Sequence, residues 1–237
     1  MIDRVAVVVP VRDEELLLPR CLDALAAAAA LAENEGVPTS MTVVLDRCLD
    51  RSAEVVASYE GLFADLRVVV SSAGRPGPAR AAGVAAALAT TDPARAWVAC
   101  TDADSVVPVD WLVRQLGWAE EGWDAVVGTI TVDSWAHWSP QVATRFGRHY
   151  EHRPSWADPD AGHHHVHGAN LGVRGAAYLA AGGFPALEVG EDQALVAALV
   201  ESGARVLRTA ALPVMTSGRC HARASGGFAA FLSALSS

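Results

Sequence analysis

The apolar positions of this chain fall first into short unbroken runs and only between them into helical spacings. Val5-Ala6-Val7-Val8-Val9 carries no polar alternation, the pattern of a strand covered on both faces. It stops at Pro10, and Asp13 offers an N-cap for a helix expected over residues 14–31. Met41-Thr42-Val43-Val44-Leu45 predicts a second buried strand, closed by a polar stretch in which Ser52 can cap a short helix running to Tyr59. A third strand is expected over 66–70, an alanine-rich helix over 79–89 and a fourth strand over 96–100. Strand and helix thus alternate four times with short connections, the sequence form of a parallel sheet with helices on both faces. All four strands end in polar or glycine-rich loops, so one edge of that sheet collects the chemistry.

A helix over 110–121 and a strand over 125–131 continue the alternation. Residues 132–167 then lose periodicity while holding Trp135, Trp138, Trp156, several prolines and the run His163-His164-His165-Val166-His167. A stretch of this length inside a compact domain is usually functional. Order returns at Gly168-Ala169-Asn170-Leu171-Gly172-Val173, followed by a short helix, a turn at Gly182-Gly183-Phe184-Pro185, a helix over 191–202, a strand over 204–207 and a closing amphipathic helix over 226–235.

Composition narrows the picture. A chain of 237 residues, 51% hydrophobic, can bury a full core as one large domain. A net charge of −9 argues against a nucleic-acid surface. The longest apolar tract, 22–32, contains Asp23 and is too short to span a bilayer. Cys21, Cys48, Cys100 and Cys220 form no C-x-x-C pair, and with no secretory signal they read as reduced thiols of a cytoplasmic protein. All 18 basic residues are arginine, which excludes a P-loop lysine, a pyridoxal Schiff base and Lys-dependent acid–base schemes. No G-x-G-x-x-G fingerprint or G-x-S-x-G elbow is present.

The fourth strand ends in Thr101-Asp102-Ala103-Asp104. In extended backbone positions i and i+2 share a face, so the two carboxylates can converge at the carboxyl end of the strand. Two hard oxygen donors there suit Mg²⁺ or Mn²⁺, although a polar turn that merely ends a strand is the commoner fate of such a pair. Pro10, Arg12 and Glu14 follow the first strand, Asp46 ends the second, and Arg80 stands near the start of a helix, an arrangement that fits a nucleotide lying across the sheet. Glu191 and Asp192 open a helix and serve either as dipole-stabilising caps or as a general base. The histidine run lacks a matching ligand set for zinc, which leaves an exposed polar loop with His167 nearest the site. His221, between two arginines, reads as a basic surface patch or a ligand.

In this order the segments resemble the inverting family 2 glycosyltransferases. Val9-Pro10-Val11-Arg12-Asp13-Glu14 is similar to the family's Val-Pro-x-x-Asn-Glu, with Asp13 for Asn. Val43-Val44-Leu45-Asp46-Arg47-Cys48-Leu49-Asp50 is similar to Val-Val-Asp-Asp-Gly-Ser-x-Asp, with Leu45 for the first Asp, which leaves Asp46 to face the base. Gly77-Pro78-Ala79-Arg80-Ala81-Ala82-Gly83 resembles Gly-x-Ala-Arg-Asn-x-Gly; Asp102-Ala103-Asp104 resembles the metal-binding Asp-x-Asp; Gly168-Ala169-Asn170 resembles the acceptor-side Gly-x-Asn; and Gly182-Gly183-Phe184 with Glu191-Asp192 resembles the Gly-Gly-Phe…Glu-Asp run.

The resemblance implies a GT-A fold, α/β with a mostly parallel central sheet, as a single domain over 1–237 whose nucleotide-sugar half is 1–105 and acceptor half 106–237. It implies a sugar transferred from a UDP-, GDP- or dTDP-sugar to a hydroxyl of a small-molecule, glycan or lipid-linked acceptor. Asp192 would be the base, with Glu191 beside it. Pro10, Arg12, Glu14, Asp46, Arg80 and Asp102 would serve the donor, Asn170 and His167 the acceptor, and Asp104, Asp102 and His221 a Mg²⁺ or Mn²⁺ ion. No nucleic acid or transmembrane segment is expected, and a homodimer stays open. Three alternatives remain: a retaining GT-A transferase, a sugar-1-phosphate nucleotidyltransferase, whose glycine-rich opening loop and Lys are missing, and a non-catalytic nucleotide-sugar sensor.

Overall fold

A computed structural model of the chain describes residues 1–151, 163–221, 223 and 226–236. Trp156 and the middle of the aperiodic stretch lie outside the described residues. The elements run β1 (Arg4–Val11), α1 (Leu18–Asn34), β2 (Thr39–Asp46), α2 (Ser52–Ser58), β3 (Leu66–Ser71), α3 (Pro76–Leu88), β4 (Ala96–Cys100), α4 (Trp111–Glu120), β5 (Ala125–Val132), α5 (Pro140–Glu151), β6 (Leu171–Arg174), α6 (Gly175–Ala180), α7 (Glu191–Glu201), β7 (Val206–Thr216) and α8 (Phe228–Ala234).

The strands of the described residues form one sheet in the order β3-β2-β1-β4-β6-β5-β7. β1 pairs in parallel with both β2 and β4, and β5 in parallel with β7. β6 alone runs the other way, antiparallel to β4 and β5. The apolar run of β1 shows why it sits in the middle. Val5, Val7, Val9 and Val11 pack into one core with α1 and α4, while Ala6 and Val8 pack into a second core with α3 and α7. Period-two backbone sends alternate side chains to opposite faces, so a strand buried on both sides must be apolar throughout. From β1 the chain winds to β2 and β3 on one side, then returns to β4 on the other. The carboxyl ends of β1 and β4 therefore flank a topological switch point, the crevice where open α/β sheets hold ligands.

Several expectations shift. The first helix begins at Leu18, and Asp13 does not cap it: its φ of 53° is left-handed and its carboxylate accepts from the Leu49 amide at 2.7 Å. Asp and Asn tolerate that conformation better than other non-glycine residues. Ser52 likewise turns its hydroxyl away from α2 to accept from the Glu14 amide at 2.9 Å, tying the ends of the first two strands together. Part of the aperiodic stretch is the helix α5, whose Val142 and Phe146, one turn apart, join Ile130, Ala169 and Leu232 in a third, smaller core. β7 runs well beyond 207, through Pro213, which an edge strand accepts because one side of its ladder is open.

Candidate active site

β4 ends at Cys100, and the acidic pair lies not in extended backbone but in a tight turn closed by the Ser105 amide donating to the Asp102 carbonyl at 3.0 Å. The two carboxylates reach different partners. Asp102 pairs with Arg80, which also pairs with Glu191 at the start of α7. Asp104 Oδ2 lies 3.0 Å from Arg219 Nη2, and Arg219 Nη1 lies 2.5 Å from Glu14 Oε1. Two arginines thus join three carboxyl-bearing loops across one cleft of about 560 Å³. Pro10, Arg12, Glu14, Asp46, Arg80, Asp102, Asp104, His167, Glu191 and Asp192 all line it.

Arg80 is only 4% exposed. Burial alone would pull its proton affinity down, but Asp102 and Glu191 outweigh that and hold the guanidinium charged. Its seat depends on two close approaches. A Cβ at Gly168 would fall 2.5 Å from the guanidinium carbon, and one at Gly77 would fall 2.9 Å from the Glu191 side chain. Burial raises the Glu191 carboxyl despite Arg80. Burial also pushes Glu14 up to about 7, against the pull of Arg219 and with the push of Asp104, and raises Asp104 in the same way.

On the β2 side, Asp46 accepts from the Gly74 amide at 2.9 Å and Arg12 donates to the Gly74 carbonyl at 2.9 Å. The turn at Gly74, with φ of 69°, is clamped from both ends beneath the cleft. Arg47, standing where the related motif has Gly, adopts φ of 56° and donates to the Ser72 carbonyl at 2.7 Å, which anchors the same loop. Asp192, which also lines the cleft, is fixed by two backbone amides: its Oδ2 accepts from Gly168 at 2.8 Å and its Oδ1 from Gln193 at 2.8 Å.

Two expected site residues lie elsewhere. Asn170 is buried beneath the cleft rather than in it: its amide nitrogen donates to the Thr129 and Leu212 carbonyls at 2.9 and 2.7 Å, and its oxygen accepts from Trp111 Nε1 at 2.9 Å. It bolts β5, β7 and α4 together under the acceptor side. His221 is exposed, outside the cleft lining, with Nδ1 3.2 Å from the Cys220 sulfur. Among the described residues no group of three His, Cys, Asp or Glu converges as a metal cage.

His167 and its neighbours form the far wall. His163, His165 and His167 stack at centroid separations of 5.9 and 6.2 Å, and His167 meets Phe228 edge-on at 6.4 Å. Alternation along an extended segment puts these rings on one face, which is legible in the spacing once the backbone is known to be extended. Burial, then the neighbouring imidazoles, pushes His167 down to about 3 and His165 to about 4. Thr216, Arg219, Arg223 and Phe228 also line the cleft and were not singled out by the sequence reading. The signal for Thr216 and Arg219 was the length of β7: continuing that strand past Pro213 delivers both to the switch point.

A family model described as Glycosyl transferase family 2 matches residues 6–178, more than half of the chain. No curated protein matches the sequence. Among solved structures, S. aureus TarS 1–349 in complex with UDP-GlcNAc superposes with a TM-score of 0.69 at 16% identity, over 95% of this chain and 61% of that one. The mannosyltransferase PcManGT from Pyrobaculum calidifontis, in complex with GDP-Man and Mn2+, gives a TM-score of 0.68 at 18% identity, over 98% of this chain and 60% of that one. This chain thus spans about three fifths of the length of these neighbours, and the likeness establishes a shared GT-A fold. With the family match over the switch-point loops and that fold around them, the chain belongs to glycosyl transferase family 2.

Proposed function

We propose that this chain transfers a sugar, with inversion, from a nucleoside diphosphate sugar to an acceptor hydroxyl, with Asp192 as the general base. The observation that carries the reading is the cleft at the β1/β4 switch point, where the acidic turn of Asp102 and Asp104 faces Asp192 across Arg80 and Glu191. Asp46, Arg12 and the clamped Gly74 turn form the floor on which a nucleoside would lie. Arg75, Arg80, Arg219 and Arg223 line the cleft beside its carboxylates, so guanidinium forks stand ready for phosphate oxygens. The nucleotide sugars held by the two neighbours support the same donor class for this chain.

The residues present fit a hard divalent ion. Asp102 and Asp104 offer carboxylate oxygens in the cleft, and Mg²⁺ or Mn²⁺ commonly joins one or two carboxylates to phosphate oxygens and water. Mg²⁺ or Mn²⁺, when bound, would neutralise charge on the departing diphosphate. The remaining work falls to side chains. Asp192, oriented by the Gly168 and Gln193 amides, takes the acceptor proton as the oxygen attacks the anomeric carbon from the face opposite the diphosphate. Glu191 holds Arg80, and so positions the helix start that carries the base. The wall of His167, Val166 and Phe228 excludes water and shapes the acceptor side.

Asp192→Asn tests this directly. The amide keeps one of the two backbone bonds that the carboxylate accepts, so melting temperature drops only slightly and donor affinity by calorimetry is retained. Transfer falls by about a thousandfold, the ordinary contribution of a general base. Turnover near that of the wild type, with product of unchanged anomeric configuration by NMR, would remove Asp192 from the role.

A further inference from the structure

The two arginines of the cleft are held differently. Arg80 is buried, pairs with both Asp102 and Glu191, and is walled in by Gly168. It has no room to leave. The Arg219 side chain is 27% exposed and spans Glu14 and Asp104 from a segment that follows the last residue of β7. Its guanidinium lies on Asp104 Oδ2, an oxygen offered to a divalent ion in the reading above. The other side-chain contacts of Asp104 are the hydroxyls of Ser105 and Thr216, each 3.5 Å from Oδ1.

The backbone behind Arg219 is fixed. The Gly218 amide donates to Asp133 Oδ1 at 2.8 Å, and its carbonyl accepts from Trp138 Nε1 at 2.5 Å. A Cβ at Gly218 would fall 2.0 Å from the Ser134 carbonyl oxygen, so the chain there has no slack. Arg20 holds Asp133 in turn, at 2.7 Å, and also donates to the Asp104 carbonyl at 3.0 Å. A long, partly exposed side chain thus projects from a rigid anchor that is itself tied to the acidic turn.

We propose that Arg219 is a placeholder cation: before donor arrives it occupies Asp104 in place of the divalent ion, and on donor binding it yields that oxygen and turns its planar fork to the diphosphate. The inference rests on the donor reading and adds an order to it. A guanidinium and a divalent ion compete for one carboxylate oxygen, so the ion alone binds poorly. A diphosphate brings oxygen acceptors for both cations and removes the competition. Ion and nucleotide therefore bind with positive coupling, and by linkage each tightens the other equally.

The test uses Mn²⁺ alone, followed by electron paramagnetic resonance, and then UDP and GDP by calorimetry with and without Mn²⁺. Arg219→Gln is expected to bind Mn²⁺ alone about tenfold more tightly than the wild type, since it removes one competing charge at a partly screened site. In the same variant affinity for the preferred diphosphate in saturating Mn²⁺ falls by about tenfold, because a charged hydrogen-bonding partner is lost. Arg219→Lys keeps the charge and the fold but grips only one carboxylate at a time, so it moves Mn²⁺ affinity in the same direction by a smaller factor; it also serves if the Gln variant does not fold.

Equal or weaker binding of Mn²⁺ alone in both variants overturns the placeholder. So does a wild type that binds UDP or GDP with no Mn²⁺ dependence and loses it in Arg219→Gln, which makes Arg219 a permanent substitute for the ion. If the wild type binds neither diphosphate under any condition, the donor reading itself fails, and the two failures are distinguished.

Discussion

Arg80 shows how much of a site one side chain can carry. A buried guanidinium between two carboxylates is a weak source of stability in itself, because desolvation cancels much of the attraction. Removing it is a different matter, since Asp102 and Glu191 would then face each other without a cation at low dielectric. Arg80→Met is therefore expected to cost about 3–5 kcal/mol in urea unfolding. Arg80→Lys recovers only part, because one ammonium cannot fork between two acids. A loss below about 1 kcal/mol in the Met variant would mean that water reaches the pair, a surface-pair value. At this scale the sequence was most informative where residue type and position coincide. Asp102, Asp104, Glu191 and Asp192 were legible as chemistry at strand and helix ends, and all four line the cleft. Asn170 was expected at the acceptor pocket, but nothing in Gly-Ala-Asn says that the amide turns inward to Trp111.

At the scale of elements, strands and helices in both halves were readable where each is a local pattern: β4 is found where the apolar run stands, and α4 and α7 begin and end within a residue or so of expectation. α5 was missed although Val142 and Phe146 stand one turn apart on an otherwise polar helix, because the prolines and tryptophans around it interrupt the pattern. β7 was expected to end at 207, where Arg208 and Thr209 break the apolar run, yet it continues to Thr216 through Pro213, which an edge position tolerates. The His163–His167 segment lines its rings in a stack, with His163 and His165 also within hydrogen-bond distance of the Thr209 and His149 carbonyls. Its titration gives a pH prediction. In the fold His167 binds its proton only near pH 3 and His165 near 4, whereas an unfolded imidazole does so near 6.5. The unfolded state takes up protons first, so the stability these groups contribute is complete above pH 6.5 and is lost as pH falls toward 3. These two histidines pull the melting temperature down below pH 6.5, while Glu14, raised to about 7 by burial, contributes the opposite slope because its folded carboxyl takes up a proton first. His167→Gln should remove part of the decline, on the order of 2–3 kcal/mol between pH 6.5 and 4 for a shift of this direction and size. An identical slope in the variant would assign the acid sensitivity to other groups.

At the scale of the whole molecule, the sheet is continuous across both halves, and the cleft is the place where they meet. The cleft loops after β1, β2 and β4 carry Glu14, Asp46 and Asp102, whereas Asp192, Thr216 and Arg219 come from later in the chain. This junction was the least legible feature. It depends on β6 inserting antiparallel between β4 and β5, a pairing between segments some seventy residues apart that four residues of strand cannot announce in advance. The division has a consequence that requires no knowledge of the sugar. A ligand that touches both halves stabilises the native state and not the unfolded chain, by RT ln(1 + [L]/Kd). At a hundredfold excess over Kd that is about 2.7 kcal/mol, equivalent to a rise of about 5–10 °C for a chain of this size. The preferred nucleoside diphosphate with Mn²⁺ should produce that rise, and Asp104→Ala should lose most of it, because the acidic turn is where the two halves are tied through Thr216 and Arg219. Scanning fluorimetry against UDP, GDP and dTDP would identify the base at the same time. A shift as large in Asp104→Ala as in the wild type would place the diphosphate away from the acidic turn, and the cleft would need another ligand.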